Sequence, residues 1–335
     1  MTHRIFGSEI SPYSIKVRSY FRYKGIPHEW IERSQAHLEE FQKYAKLPLI
    51  PLLVMPDDSS LQDSTPIIEK MEALHPEPSI HPSDPTLAFV STLLEEFADE
   101  WGNKWMFHYR WAAEADQQST GARIAKGMLP DADDETRAGI AAGVVKRMVG
   151  RVWFVGSSPQ TAPIIESSFA EGLAQLELHL SGRAYLFGAR PSFADFGLWG
   201  QVYNAWSDPT AGAMIRSSSP SVCAWIERML DPKVEGDGDW EEASALLPTL
   251  EPLLANQVGA LFLPWSDANA KAIEAGDEEF TTQLGLDGSE TWTQKPQKYH
   301  ARSLKAIRAK YAEAAGNAEL DDLLERTGCR SWLSG

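Results

Sequence analysis

Apolar positions in the first seventy or so residues fall into short runs separated by glycine, proline and polar clusters, and their period switches between two and about 3.6. Residues 3–7 and 28–31 read as strands, with a helix predicted from about Pro12 to Lys24 and stopped by Gly25-Ile26-Pro27. A second helix over roughly His37–Ala45 leads to Leu49-Ile50-Pro51. Leu52–Met55 and Ser60–Gln62 then flank the turn Pro56-Asp57-Asp58-Ser59 as a hairpin. Asp63-Ser64-Thr65-Pro66 opens a helix to about Leu74, with a hydroxyl suited to the cap and a proline to the first turn. The predicted order is βαβ, α, ββα.

Four prolines between His75 and Pro85 make that stretch a linker. From Thr86 the pattern is helical: Val90, Leu94, Phe97, Trp101, Trp105 and His108 recur at three- and four-residue intervals along one face. Such a stripe is read first as core for Trp101, whereas for Trp105 and His108, nearer its end, core and a cleft-facing role stand even. An acidic, glycine-containing stretch near Asp231–Asp239 breaks the pattern; helical pieces follow, with a strand pair around Phe280–Leu284 and Thr291–Gln294. Leu304, Ile307 and Tyr311 form an apolar stripe on a helix bearing Arg302, Lys305, Arg308 and Lys310. The simple reading is a helix packed on the body with a solvated basic face, and the sharper one is a docking face. The divisions that follow are residues 1–76, a linker 77–85, a mostly helical domain 86–235 and an extension 236–335. No internal repeat is visible.

Composition narrows the partners. The 335 residues are 43% hydrophobic and 23% charged, ample for a globular core. With 31 basic against 47 acidic residues the net charge is −16, which disfavours nucleic acid and anionic membrane as general partners. No apolar leader and no run of eighteen apolar residues is seen, so a cytoplasmic location and no membrane span are expected. Only Cys223 and Cys329 are present, neither in a Cys-x-x-Cys pair, so neither a disulfide framework nor a thiolate metal site is expected.

The chemistry is concentrated in Ser11-Pro12-Tyr13-Ser14, a turn between a strand and a helix N-terminus. It is a Cys-Pro-Tyr-Cys redox loop with hydroxyls in place of both sulfurs. Hydroxyls there exchange no disulfides, but they can hydrogen-bond a thiolate carried by a ligand, at a helix end whose dipole favours negative charge. Ile50-Pro51 starts a strand; a cis bond there would offer the Ile50 backbone to an extended peptide, while the dipeptide alone favours an ordinary trans proline. Asp63-Ser64 supplies N–H groups and a hydroxyl for a carboxylate and an acid for an ammonium, with a plain helix cap as the simpler alternative.

Together, Ser11–Arg18, Ile50-Pro51 and Asp63-Ser64 resemble the glutathione site of cytosolic glutathione transferases. Gly188-Ala189-Arg190-Pro191-Ser192-Phe193-Ala194-Asp195 resembles that superfamily's N-capping box, a folding rather than a catalytic motif. The resemblance covers about residues 3–230. It implies an α/β, thioredoxin-like N-terminal domain followed by an all-α helical bundle, the mostly helical extension lying outside it. It puts Ser11 in the place of the catalytic Ser or Cys of the theta-, zeta- and omega-like classes, five positions before Lys16, with Tyr13 and Ser14 as alternative donors and Tyr13 in the glutathione site. Ile50 and Pro51 would hold the cysteinyl backbone, and Asp63 and Ser64 the γ-glutamyl end, Asp63 standing where Glu or Gln is more usual. His37, with Lys46 as substitute, would meet the glycyl carboxylate. The co-substrate pocket, between the domains, would be lined by Trp101, Trp105 and His108, suiting an aromatic or otherwise hydrophobic electrophile. The cysteine of the omega- and glutaredoxin-like members is absent, so mixed-disulfide chemistry is not implied. The resemblance thus implies an enzyme of the glutathione S-transferase type, homodimeric, with glutathione as co-substrate and no metal. Alternatives are a non-catalytic scaffold of the same fold and a glutathione-dependent isomerase or dehalogenase.

Overall fold

Ile5 and Phe6, neighbours in the first strand, point to opposite faces of a sheet that is covered on both sides. A computed structural model describes residues 2–335. Its first domain runs β1 (His3–Gly7), α1 (Pro12–Tyr23), β2 (His28–Glu32), α2 (Leu38–Tyr44), β3 (Leu52–Val54), β4 (Ser60–Gln62) and α3 (Ser64–Leu74), the order predicted from the sequence. The strand order is β2-β1-β3-β4, with β1 parallel to β2 and the other pairs antiparallel. Phe6, Ile31, Leu52 and Val54 pack with Phe41 of α2 on one face. Ile5 and Leu53 face α1 and α3 and join the main core.

Linker residue Ile80 is fully buried, and its carbonyl accepts the N–H of Phe193, so the linker is bound to the second domain. There α4 (Pro85–Phe97), capped by Asp84, passes through a π-helical turn, Ala98–Gly102, into α5 (Asn103–Ala112) without a break in the helix. The antiparallel pair α6 (Glu114–Met128) and α7 (Asp134–Val149) follows, then α8 (Ala162–Leu180), α9 (Phe193–Trp206), α10 (Pro209–Ser218) and α11 (Pro220–Arg228). Buried along nearly its whole length, α9 packs on α1, α4 and α5. A Cβ at Gly200 would lie 2.7 Å from the carbonyl oxygen of Pro12, so the absence of a side chain there lets α9 press against the start of α1.

The capping box is present as predicted: Ser192 Oγ accepts from the Asp195 N–H, and Asp195 accepts from the Ser192 N–H. The same carboxylate also accepts from the Leu186 N–H at 2.9 Å and the Trp225 indole at 2.8 Å.

The last hundred residues pack into this same core. They comprise α12 (Ala243–Leu253), a π-helical segment Leu254–Phe262, α13 (Leu263–Ala275), the hairpin β5 (Phe280–Leu284) and β6 (Glu290–Gln294), α14 (Lys298–Glu313), α15 (Ala318–Arg326) and α16 (Arg330–Leu333). The continuous helical run Ala243–Ala275 is long and apolar enough to cross a membrane by length and composition. Here Leu250, Leu254, Val258, Phe262 and Trp265 spend that apolarity on the core instead. On α14, Leu304 and Ile307 are buried as expected, and its basic face is partly engaged, Lys310 with Glu69 of α3 and Arg308 with Asp267.

Replacing Asp195 with Ala leaves several buried donors unsatisfied and is expected to lower stability by about 3 kcal/mol or more, read from the urea midpoint, with Asp195→Asn losing less.

Candidate functional site

The turn after β1 closes with the Ser11 N–H on the Ser8 carbonyl at 3.0 Å. Ser11 is the N-cap of α1: its Oγ accepts the Ser14 N–H at 3.3 Å, and Pro12 occupies the first turn. Half-buried Ser11 thus uses its oxygen as acceptor while its hydroxyl proton has no partner within the described residues. The two alternative donors are disposed differently. Tyr13 gives its hydroxyl to the Asp99 carbonyl at 2.9 Å, and burial, with the carboxylates of Asp99, Glu100 and Asp63, pushes the phenol well above its ordinary range. The Tyr13 hydroxyl is therefore a tie between α1 and the π turn. Ser14 is fully buried, with an unpartnered hydroxyl packed toward Gly7.

The Ile50-Pro51 bond is cis, against the trans reading that the dipeptide alone favours. No hydrogen bond among the described residues takes up the N–H or C=O of Ile50. The loop before it is clamped by Gln62, whose side chain accepts from the N–H groups of Lys46 and Leu47 and donates to the carbonyls of Leu47 and Leu49, at 2.8–3.0 Å.

Asp63 precedes α3 with φ of +83°, a left-handed conformation that a non-glycine residue adopts only when its surroundings hold it there. Its carboxylate accepts the Tyr299 hydroxyl of α14 at 2.9 Å. Burial raises its pKa, Glu100 and Glu95 add to this, and the Tyr299 bond and Lys16 oppose it. Ser64 is fully buried, its Oγ 3.4 Å from Lys16 Nζ and 3.3 Å from Asp99 Oδ2, so its hydroxyl turns inward. What α3 can offer a carboxylate is the backbone N–H groups of its first turn. His37 stands exposed at the start of α2, its Nδ1 near Ser34 Oγ and the Glu32 carbonyl. The Lys46 side chain makes no ion pair among the described residues.

Beneath these elements lies the Lys16 ammonium, fully buried. It binds Glu95 and Asp99, the latter at 2.6 Å, and Thr65 at 3.2 Å. Burial would lower its pKa, but Asp99 and Glu95 more than reverse this and hold the ammonium above its ordinary range. Asp99 itself is pushed up to about 7 by burial and Glu95, against the pull of Lys16. Sequence reasoning missed Glu95, Asp99, Gln62 and Tyr299. The acids had a visible signal, four carboxylates between positions 95 and 100 in an otherwise apolar helix; Tyr299, 236 residues beyond Asp63, had none.

The expected electrophile pocket is corrected by burial. Trp101 and Trp105 are core residues, both donating their indole N–H to Ser168 Oγ, at 2.9 and 2.8 Å. Trp101 packs against Trp265 and Trp292 of the last hundred residues. His108 is buried between Ser157, 2.8 Å from Nδ1, and Glu166, 3.1 Å from Nε2. Lys104 lies within this indole cluster, its Nζ 3.6 Å from the centroid of the Trp265 ring, and burial lowers it to about 7.

Residues 5–79 match the family model "Glutathione S-transferase, N-terminal domain", and residues 137–228 match "Glutathione S-transferase, C-terminal domain". The chain belongs to the glutathione S-transferase superfamily. No curated protein matches it. Among solved structures it is similar to the β-etherase LigF of Sphingobium sp. strain SYK-6, at 20% identity over 75% of this chain and 100% of that one, with a TM-score of 0.48. It is also similar to a glutathione S-transferase of Methylobacillus flagellatus KT with glutathione bound (18%; 74% and 98%; TM-score 0.41) and to FzlA of C. crescentus (17%; 75% and 92%; TM-score 0.43). The thioredoxin-like and helical domains of this superfamily member are the two seen in the fold, and the capping box is its most specific sequence mark.

Asp99 faces Lys16, Glu95, Glu100, Ser64 and Thr65, and its folded pKa exceeds that of an unfolded aspartate. Between about pH 4 and pH 7 the folded chain therefore keeps a proton that the unfolded chain has released, and the associated stability is lost as pH rises through 7. Melting temperature is expected to fall from about pH 4.5 to pH 7 more steeply in the wild type than in Asp99→Asn, the difference levelling off above about pH 7.5.

Proposed function

We propose that this superfamily member is a glutathione transferase in which Ser11 stabilises the thiolate of bound glutathione for attack on a hydrophobic electrophile. The observation that carries the reading is the state of the Ser11 hydroxyl. Of the three hydroxyls in the turn, that of half-buried Ser11 alone combines exposure with a proton that no described residue accepts: Tyr13 donates to the Asp99 carbonyl and Ser14 is fully buried. The free backbone of Ile50 suits the cysteinyl segment, and Asp63 with the first N–H groups of α3 suits the γ-glutamyl ammonium and carboxylate. Exposed His37 at the start of α2, with Lys46 as substitute, suits the glycyl carboxylate.

A thiol of pKa about 8.5 is only a few per cent ionised at pH 7. One hydrogen bond to a charged acceptor contributes roughly 1.5–3 kcal/mol, equivalent to about one to two pKa units, and so makes the thiolate the major form near neutrality. The sulfur then forms the new bond to the electrophilic carbon as the leaving group departs with its electron pair. With the indoles of Trp101 and Trp105 in the core, nothing in the site favours a planar co-substrate over another apolar one.

A non-catalytic scaffold draws on one observation: the Ser64 hydroxyl faces inward and the Asp63 carboxylate already has a partner in Tyr299. The resemblance also implies a homodimer; in this chain α14 packs on α4 and meets α3 through the Lys310–Glu69 pair.

Ser11→Ala is expected to lower kcat/KM in a glutathione conjugation assay about tenfold to a hundredfold while glutathione affinity stays within about twofold. Unchanged turnover would remove Ser11 from this role.

A further inference from the structure

The last hundred residues reach the glutathione side of the molecule at three points on one helix. Tyr299 bonds Asp63, His300 pairs with Glu100 of the π turn, and Lys310 pairs with Glu69 of α3. The helix is seated firmly, with Leu304 and Ile307 buried, Tyr311 against Phe89, and His300 edge-on to Trp265 at 4.8 Å. Tyr299 as a residue remains nearly half exposed, at 47%, while its hydroxyl end is buried against Asp63.

Around Asp63 stand Lys16 of α1, Glu95 of α4, Asp99 and Glu100 of the π turn, Tyr13, and Tyr299 and His300 of α14. Carboxylates dominate this set, and left alone they favour a protonated Asp63. A cation at the position of Tyr299 would hold the carboxylate ionised but would also cancel the charge that an ammonium group needs. A phenol does the first without the second: it donates one hydrogen bond, carries no charge, and leaves the remaining lone pairs of the carboxylate free. Burial and the neighbouring carboxylates keep this phenol protonated, so it donates at every working pH.

We propose that Tyr299 is a positioning residue of the γ-glutamyl subsite, its hydroxyl fixing the Asp63 carboxylate for the ammonium group of the thiol substrate. The assignment rests on the glutathione reading above. It makes the C-terminal helix α14 part of the substrate site, supplied by the same chain.

The test is calorimetric titration of wild type, Tyr299→Phe and Asp63→Asn with two ligands: glutathione, and its analogue in which the γ-glutamyl amine is replaced by hydrogen. Tyr299→Phe is expected to weaken glutathione about tenfold and the deaminated analogue less than about twofold. The glutathione deficit should widen as pH falls from about 7.5 to about 5.5, because an Asp63 deprived of its donor protonates at a higher pH. Asp63→Asn should show the same selectivity between the ligands. Equal weakening of both ligands would reduce Tyr299 to a packing contact, and unchanged or tighter glutathione binding would make it a plug; either overturns the proposal. Failure of the wild type to bind either ligand would overturn the glutathione reading itself, and this assignment with it.

Discussion

One ammonium group, that of Lys16, sits out of water between the carboxylates of Glu95 and Asp99 and beside the hydroxyls of Ser64 and Thr65, and three helices are located by it. A buried charge persists only where it is paired, and removing one member of such a set typically costs about 3–5 kcal/mol. Lys16 lies on α1, five positions after Ser11; Ser64 and Thr65 open α3; Glu95 lies on α4 and Asp99 in the turn that continues it. The helix that carries the Ser11 hydroxyl, the helix that opens with the proposed γ-glutamyl subsite and the first helix of the second domain therefore cannot shift independently. Gly200 lets α9 close on Pro12 from the other side and completes the seat of α1.

The same arrangement sets the field of the site. Asp63, Glu95, Asp99 and Glu100 outnumber Lys16 on one side, while the starts of α1 and α3, at positive helix-dipole ends, present the uncommitted N–H groups of Tyr13 and of Ser64 and Thr65. A zwitterionic amino-acid head with a nearby thiol matches such a pattern of signs: its ammonium toward the carboxylates, its carboxylate and its sulfur toward the two helix starts. The net charge of −16 attracts no anion at long range, so these local donors carry the recognition.

Much of this was legible in the residues. The order of elements in the first domain followed from Gly25-Ile26-Pro27, from the Pro56–Ser59 turn and from the Asp63–Pro66 helix start, because turn chemistry is local. The Ser192/Asp195 box was equally local, and the structure shows both of its reciprocal hydrogen bonds. What escaped was set by residues far apart in the chain. Helical period told that Trp101 and Trp105 share a face, but not that Trp265, Trp292 and Ser168 would cover it. Tyr13 and Ser64 carry hydroxyls in the expected turns, yet the Asp99 carbonyl and the Lys16 ammonium draw them inward, and neither partner is nearby in sequence. The apolar run 243–275 was obscured because its polar interruptions break any strict count while the helix continues through them.

The central claim is that the start of α1 holds a substrate thiol as its thiolate. The most direct measurement is an ultraviolet difference titration of the thiolate band of glutathione bound to the wild-type protein across neutral pH. The account predicts an apparent thiol pKa about one to two units below that of free glutathione, with the shift reduced in Ser11→Ala. A bound thiol that titrates where the free one does, at saturating occupancy, would contradict it.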